Sequence, residues 1–149
     1  MSKATLFRCS GLAVLLPYFL LSIACFLAHK DWISILVERQ LRLGCVMLGL
    51  AGGVHLACLA LREDLSPPQQ WRSLAWGLGP ALLALGAMSI DNGLSFVVQL
   101  LAALAGFRID SRFYASYGLP EWCVQARNRF MYYIIVAQAL TFIAVNWRT

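Results

Sequence analysis

The amino-acid sequence predicts an all-α protein, an integral membrane helical bundle with about five transmembrane helices. Three observations support this fold class. Hydrophobic residues make up 60% of the chain and charged residues only 13%, whereas soluble domains contain about 45–50% apolar and about 25% charged residues. The mean hydropathy is +0.70. The apolar residues also form five separate segments, with turn-forming and charged residues between them. Lipid is therefore expected to solvate much of the surface.

The five predicted spans belong to a single transmembrane domain, residues 1–149, and cover 11–28, 43–61, 73–90, 93–107 and 130–147. A transmembrane helix needs about 20 apolar residues, with a range of about 17–25. The fourth segment has only 15 residues, which would extend over about 22 Å. It is therefore a short span that borrows flanking residues or thins the membrane, or a segment that dips into the bilayer and returns.

The first segment resembles a signal peptide, because Lys3 and Arg8 precede it and Cys25 follows a poor lipoprotein-type cleavage sequence. However, its apolar run is longer than the core of a signal peptide, which has about 7–15 residues. We therefore predict a first span that is retained.

Charge asymmetry predicts the orientation. With five crossings, one side of the membrane carries eight Lys and Arg residues and the other side carries four. Cytoplasmic loops are enriched in positive charge, so the N-terminus is predicted inside and the C-terminus outside. The expected location is the bacterial inner membrane, or the mitochondrial inner membrane in a eukaryote. The basic residues stand singly at the ends of apolar segments, which argues against nucleic acid as a partner.

Two connections contain helix-ending signals. The stretch 91–93 (Asp-Asn-Gly) is typical of a helix stop followed by a turn, so segments three and four are expected to form an antiparallel hairpin. The stretch 119–121 (Leu-Pro-Glu) predicts the start of the last helix, since proline suits the first helical position and glutamate suits the helix dipole there. That helix is expected to run from Pro120 to about Trp147.

The cysteines are predicted to be free thiols that pack as small apolar groups. They are Cys9, Cys25, Cys45, Cys58 and Cys123. Their odd number and the absence of a Cys-x-x-Cys pair argue against a disulfide framework and against a metal site. We expect no cofactor, no metal and no catalytic residue.

Small residues predict close helix packing. The candidate packing residues are Gly49, Gly52, Gly53, Ala57, Gly77, Gly79 and Pro80. Gly49 and Gly53 have the spacing that lets two helix backbones approach, and Ala57 continues this stripe. The stripe is expected to meet another helix of the same chain or a partner subunit. Pro80 is expected to kink the third helix, and this structural interpretation is favoured over a transport site.

Three polar side chains lie near the middle of apolar segments, namely His55, Gln99 and Gln138. His55 is interpreted as a neutral ring that bonds one of these amides, a serine hydroxyl or a backbone carbonyl. The alternative is a proton relay or a metal ligand. We expect no Asp or Glu at depth in any helix, which counts against a proton-coupled transporter.

The last loop, residues 108–129, is predicted to lie at the membrane surface. Its candidate headgroup-binding residues are Arg108, Arg112, Trp122, Arg127 and Arg129. Arginines near the ends of spans bind anionic lipids or serve simply as a positive collar on the inner side. Membrane lipids are therefore expected partners.

Three stretches resemble a known family. They are 48–55 (LGLAGGVH), the Trp-x-x-x-Pro pattern of Trp76 and Pro80, and 117–122 (YGLPEW) with Arg127 after it. They are similar to motifs of domain-of-unknown-function family 3429, small multispanning inner-membrane proteins to which animal transmembrane protein 69 belongs. The chain departs from the family at Gly49, Leu50, Leu56 and Ala57, where members often have Ser, Phe and Trp-Gly. The resemblance implies architecture and inner-membrane residence, but no activity.

Three classes of function follow from these observations. The first is a non-catalytic interaction protein, an accessory subunit or assembly factor of a larger membrane complex, possessing small-residue faces and almost no soluble mass. The second is a small transporter or channel that uses His55 and the helix containing Pro80. The third is a membrane enzyme associated with lipid or quinone. The sequence favours the first class, with other membrane-protein subunits as expected partners.

Overall fold

The protein is all-helical over the residues that its computed structural model describes, 3–148. The five helices are α1 (Lys3–Leu27), α2 (Lys30–Leu61), α3 (Pro67–Met88), α4 (Asn92–Tyr117) and α5 (Glu121–Arg148). Short connections join them, at residues 28–29, 62–66, 89–91 and 118–120. The predicted all-α bundle is therefore confirmed. Because the connections are so short, nearly all of the surface described belongs to helix faces.

α2 is the central helix of the bundle. It packs against each of the other four helices, whereas α1 packs only against α2 and α5, and α3 only against α2 and α4, within the described part of the chain. The reason is visible in its sequence. Buried residues recur every three or four positions from Gln40 to Cys58, which matches the helical period of 3.6 residues. One long helix therefore contributes buried residues to the whole core.

Consecutive helices run antiparallel, as expected for the third and fourth. In the α3–α4 pair, the Ser95 hydroxyl donates to the Ala84 carbonyl (3.1 Å) near the connection. At the far end, the hydroxyls of Tyr117 and Ser73 lie 2.6 Å apart. Two contacts that span the length of both helices fix this orientation, so α4 is a full partner of α3 over its whole length.

α1 and α5 run parallel. Phe19 meets Tyr133 edge to face, with ring centroids 6.1 Å apart, and the Ser22 hydroxyl donates to the Ala137 carbonyl (3.0 Å). From the first contact to the second, the residue numbers increase in both helices. α1 and α5 therefore begin at one end of the bundle and finish at the other.

Polar side chains and one glycine define the helix ends. Gln69 accepts a hydrogen bond from the Ser66 backbone N–H (2.9 Å) at the start of α3. Asp91 accepts from the Leu94 backbone N–H (2.9 Å) at the start of α4. Gly118, with φ of 60°, ends α4 in the left-handed conformation that glycine adopts without steric cost. Asp91, in the predicted turn 91–93, therefore caps the start of α4.

α4 is longer than predicted. The fourth apolar segment was predicted to end at residue 107, yet the helix continues to Tyr117 and has 26 residues, about 39 Å of helix. The continuation is polar, but its one acidic side chain, Asp110, points into the bundle and is paired there. The segment therefore gains interior contacts as a helix that a surface loop would lack.

Within the described part of the chain, three helices are long and apolar enough to cross a membrane. The qualifying segments are Lys30–Leu61, Asn92–Tyr114 and Glu121–Trp147, and a shorter apolar segment, Ala13–Leu27, lies in α1. The composition and these segments are those of a membrane protein.

Of the predicted packing residues, Gly52 and Gly77 make the close approach between α2 and α3, whereas the predicted stripe through Gly53 does not. A Cβ atom added at Gly52 would overlap the carbonyl oxygen of Gly77 and lie 2.8 Å from its carbonyl carbon. A Cβ at Gly77 would lie 2.7 Å from the side chain of Leu56. In contrast, a Cβ at Gly53 or Gly79 would have no atom within 4 Å. The glycine-packed face is thus rotated by one residue from the prediction.

The remaining predicted packing residues have lesser roles. A Cβ added at Gly49 would meet Ala81 at 3.8 Å, an ordinary contact distance. Ala57 is exposed. Pro80 lies inside α3, which continues as a helix on both sides of it.

Candidate functional site

Most of the buried polar residues belong to two groups, and the first is an amide layer that joins four helices. Its members are Ser22, Gln40, Gln99, Gln138 and Thr141, all at most 3% exposed. The Gln138 side chain donates to the Gln99 carbonyl oxygen (3.0 Å). This bond crosses between α5 and α4.

Further bonds connect the amide layer. The Gln99 amide group also donates to the Leu41 backbone carbonyl (2.8 Å). Gln40 donates to the Ser22 hydroxyl (2.9 Å) and accepts from the Thr141 hydroxyl (2.6 Å). Each bond crosses between helices, so the layer holds α1, α2, α4 and α5 in register.

Gly44 makes room for the amide layer. A Cβ at this position would overlap the Gln99 side-chain oxygen and lie 3.2 Å from the Tyr18 hydroxyl. Only glycine therefore lets the Gln99 amide approach α2.

The second group is a charged cluster centred on Asp110. We define it as Asp110, His55, Trp76 and Arg127, from four different helices. His55 Nε2 lies 2.7 Å from Asp110 Oδ1, and Trp76 Nε1 donates to the same oxygen (3.0 Å). Arg127 forms an ion pair with Oδ2. Asp110 and His55 are both fully buried.

The charged cluster corrects two predictions. The partner of His55 is a carboxylate rather than an amide, a serine or a carbonyl. A buried Asp is also present inside a helix, although the sequence analysis expected none at depth. The physical reason is that Arg127 supplies a counter-charge and two neutral rings supply donors, which offset the cost of burying the carboxylate.

The hydrogen-bonding role of the His55 ring follows from its partner. Asp110 accepts from Trp76 on one oxygen and pairs with a guanidinium on the other. A carboxylate only accepts hydrogen bonds. His55 must therefore present an N–H at Nε2, and in the neutral ring Nδ1 then carries a lone pair.

Aromatic rings enclose the His55 imidazole. Tyr114 stacks on it with a centroid distance of 5.5 Å and an interplanar angle of 17°. Phe113 and Tyr117 approach edge-on, each at 6.1 Å. The guanidinium of Arg127 lies over the Tyr114 ring at 5.9 Å. These contacts fix the plane of the imidazole and shield it from bulk solvent.

Arg127 does not lie at the surface as predicted. Its residue is 5% exposed, and its Nε donates to the Ala51 carbonyl (3.1 Å). The other predicted interfacial residues, Arg108, Arg112, Trp122 and Arg129, are exposed. Arg127 is thus an interior residue, whereas the other three arginines stay at the surface, as expected for a positive collar.

The two polar groups are linked by a spacing of eleven residues. The pairs are Gly44 and His55 on α2, Gln99 and Asp110 on α4, and Arg127 and Gln138 on α5. Eleven residues are about three helical turns and about 16 Å, so both members of a pair lie on one helix face. This repeat is the sequence signal by which Asp110 and Arg127 are recognisable as interior residues.

Arg62 closes the end of the bundle next to the charged cluster. It donates to the Tyr117 backbone carbonyl at the end of α4, and its Nε donates to Asp64 (2.9 Å). Hydrogen bonds from Arg62 hold the pKa of the Asp64 carboxyl below its usual range. The connection 62–66 is therefore fastened to α4.

Among the described residues, the cysteines and the other side chains that could bind a metal are not grouped into one site. The free thiols are Cys25, Cys45, Cys58 and Cys123. Cys9 was also predicted to be a free thiol, but its side chain lies outside the described residues. Among the side chains described, no three His, Cys, Asp or Glu residues are grouped so that they could hold a metal ion.

Five packed helices, with paired polar side chains in the interior and many large apolar side chains exposed, define a small all-α bundle with the composition of a membrane protein. The chain matches, over residues 4–143, the model of the family described as "Protein of unknown function (DUF3429)". It belongs to that family, which confirms the resemblance seen in the sequence. The comparisons with curated proteins and with solved structures found no match.

Proposed function

We propose that this protein is a multipass membrane protein that acts without catalysis, as an accessory or stability subunit of a larger membrane complex. One observation supports the proposal above all. Buried polar side chains bond to one another, while large apolar side chains point outward. On α3, for example, Trp71, Leu78, Leu82 and Leu85 are 71%, 42%, 62% and 53% exposed. Such a surface is suited to lipid and to other membrane helices.

The short connections support the same proposal. The longest of them has five residues, 62–66, so the described chain offers no soluble domain to a partner. A partner would bind a helix face instead. Gly53 on α2 is one place where a helix backbone has open space around it, and small residues let membrane helices approach closely. Lipid headgroups at Arg108, Arg112 and Arg129 are further proposed contacts.

A small transporter is the second candidate function, and Asp110 favours it. The expected lack of a buried carboxylate counted against this class, and the structure has one beside His55. Ionisable residues within membrane helices often mark ion or substrate pathways. All the same, Asp110 is already paired with His55, Trp76 and Arg127, so the accessory role remains our first proposal.

We expect a reporter enzyme fused after Thr149 to be active on the periplasmic or intermembrane side. α1 and α5 run parallel and five helices alternate in direction, so five crossings would place the two chain ends on opposite sides. The positive-inside rule assigns the N-terminus to the inner side. A second fusion within residues 62–66 serves as the control and should report the inner side. Activity of the C-terminal fusion on the inner side would contradict five crossings.

The accessory role is tested by native gel migration after extraction in mild detergent. We expect the 16.5 kDa chain to migrate within a much larger complex. Gly53→Leu, which adds a side chain to an open helix face, should release it from that complex while its thermal unfolding temperature in detergent stays unchanged. Gly86→Leu is the matched control, since a Cβ there also meets nothing within 4 Å. Migration of the unaltered protein as a free monomer would contradict the proposal.

A further inference from the structure

Four exposed arginines lie outside the bundle at the level of the charged cluster. Three helices contribute them, and we call them the arginine band: Arg72 on α3, Arg108 and Arg112 on α4, and Arg129 on α5. Each lies at most four residues from a member of the charged cluster, which is about 6 Å along a helix axis. Three helices therefore expose positive charge at the level where the interior holds its ion pair.

The pairing of α4 with α5 brings two of these arginines to the same level. The two helices bond through the amide layer and, eleven residues away on each helix, through Asp110 and Arg127. In this antiparallel register, Arg108, two residues before Asp110, is level with Arg129, two residues after Arg127. A residue two positions away is about 200° around a helix, so both arginines point away from the buried ion pair.

Arg72 joins the band from α3. Its guanidinium lies over the ring of Phe113, 5.8 Å from the ring centroid, and Phe113 directly follows Arg112 on α4. One helical turn further along α3, Trp76 donates to Asp110. These two contacts place Arg72 level with the arginines of α4.

The outward faces of α4 and α5 change from apolar to basic at the band. On α4, Leu101 and Leu104 are 59% and 47% exposed, and Arg108 follows one turn later. On α5 the order is reversed, because Arg129 comes first and the exposed Ile143 follows it. Such a change at one level on neighbouring helices is expected where acyl chains give way to lipid headgroups.

The band has few acidic neighbours. The helices α3, α4 and α5 contain only two acidic residues, Asp110 and Glu121. Asp110 is buried in the charged cluster, and Glu121 begins α5, about 12 Å before Arg129 along the helix axis. None of the ion pairs between described side chains includes Arg72, Arg112 or Arg129. Three of the four arginines therefore carry a charge that no described carboxylate balances.

The opposite end of the bundle differs in charge. The exposed Arg42 of α2 pairs with Glu38, one turn before it, and Lys30 is directly followed by Asp31. Charges of both signs are mixed there, so that end is expected to attract anions less strongly than the arginine band does.

We propose that the arginine band binds the headgroups of anionic phospholipids in one leaflet, which is the inner leaflet in the predicted orientation. Guanidinium groups form strong charge-assisted hydrogen bonds with phosphate oxygens, and arginines near a membrane surface attract anionic lipids. A lipid is favoured over a soluble anion because exposed leucines adjoin the band one turn away on α4, where they would contact the acyl chains of the same molecule. The inference rests on the membrane location proposed above and adds the charge of the lipid, the leaflet and Arg72.

The test uses the full-length protein, reconstituted in vesicles of equal parts phosphatidylcholine and phosphatidylglycerol. Trace amounts of spin-labelled lipid with either headgroup show, by electron paramagnetic resonance, how strongly each lipid associates with the protein surface. We expect the protein to hold phosphatidylglycerol more strongly than phosphatidylcholine. This preference should weaken at high salt, because exposed charges are screened.

Paired substitutions locate the preference. Arg112→Gln together with Arg129→Gln removes two charges of the band and leaves the charged cluster untouched. One arginine near an anionic surface contributes about a 5-fold preference, so the preference for phosphatidylglycerol should fall about 5-fold or more. Arg39→Gln together with Arg42→Gln, two exposed residues near the other end of α2, is the matched control and should leave the preference nearly unchanged. Arg72→Gln alone should also lower it and keeps the test decisive if the first pair does not fold.

Equal association of the two lipids would overturn the proposal, since arginines that only set the orientation during insertion leave no preference afterwards. The proposal is also overturned if the control pair lowers the preference as much as the band pair does. Displacement of phosphatidylglycerol by excess glycerol phosphate, at constant ionic strength, would overturn it in favour of a soluble phosphate. A protein that enters neither these vesicles nor vesicles of phosphatidylcholine alone would overturn the membrane location itself, so the two failures are distinguishable.

Discussion

Asp110→Asn is expected to lower the free energy of unfolding by about 3–5 kcal/mol, which is the usual cost of removing one partner of a buried ion pair. The side chain keeps its size and one acceptor oxygen for Trp76, but the guanidinium of Arg127 loses its counter-charge in a region that is 5% exposed. Thermal or denaturant unfolding in detergent micelles, followed by circular dichroism, would measure the loss.

A second substitution separates charge from packing. Arg127→Met in the Asp110→Asn background removes the uncompensated charge, so the double variant should be more stable than Asp110→Asn alone. The exposed pair of Glu38 and Arg42, one helical turn apart on α2, provides the matched control. Glu38→Gln should cost less than about 1 kcal/mol, as is usual for surface pairs. Equal losses for Asp110→Asn and Glu38→Gln would show that Asp110 is solvated.

Gly52→Ala is expected to have the second largest effect, a loss of about 1–3 kcal/mol, which is typical of an overpacked core. The added methyl group would overlap the Gly77 carbonyl, and because that atom belongs to the backbone, α2 and α3 must move apart. Unfolding of the purified variant would measure the loss.

The adjacent Gly53 is the control for Gly52. Gly53→Ala adds the same methyl group where no atom lies within 4 Å. Alanine also has a higher helix propensity than glycine, by about 1 kcal/mol, so this variant should be as stable as the original or slightly more stable. If both alanine variants behaved alike, the contact between Gly52 and Gly77 would not determine the packing of α2 on α3.

Much of the fold was predictable because it depends on local signals. Apolar segments of helical length located all five helices. The stretch 119–121 predicted the start of α5 within one residue, since Pro120 precedes its first residue, Glu121. Such signals act over a few neighbouring residues, so they can be recognised in the sequence alone.

The end of α4 and the interior position of Asp110 were not predicted, because they depend on distant residues. Considered by itself, the stretch 108–112 contains two arginines and an aspartate, which is typical of a solvated loop. Its partners, His55 and Arg127, are 55 and 17 positions away along the chain. Hydropathy assigns each charge a fixed cost and takes no account of pairing. The eleven-residue repeat that links Gln99 to Asp110 would have indicated the shared helix face.

The stripe through Gly49 and Gly53 was predicted to pack closely, but the contact is made by Gly52, one residue away, for a related reason. The spacing of Gly49 and Gly53 shows that small residues repeat, but Gly52 is equally compatible with close packing. Which of them meets a neighbouring backbone depends on the rotation of α2, and that rotation is fixed by contacts elsewhere, such as Gly44 against Gln99. Sequence spacing alone does not contain this information.

In the membrane location proposed above, the pairing of Asp110 with Arg127 has a consequence for biogenesis. The two charges lie on consecutive helices, joined only by residues 118–120, and each would cost about 2.5–3.5 kcal/mol to place alone at the centre of a membrane helix. A translocation machinery that released α4 before α5 emerged would expose the bare carboxylate to lipid. Release of the two helices together as a hairpin lets opposite charges neutralise each other first. The ion pair thereby favours insertion of the C-terminal third as one unit.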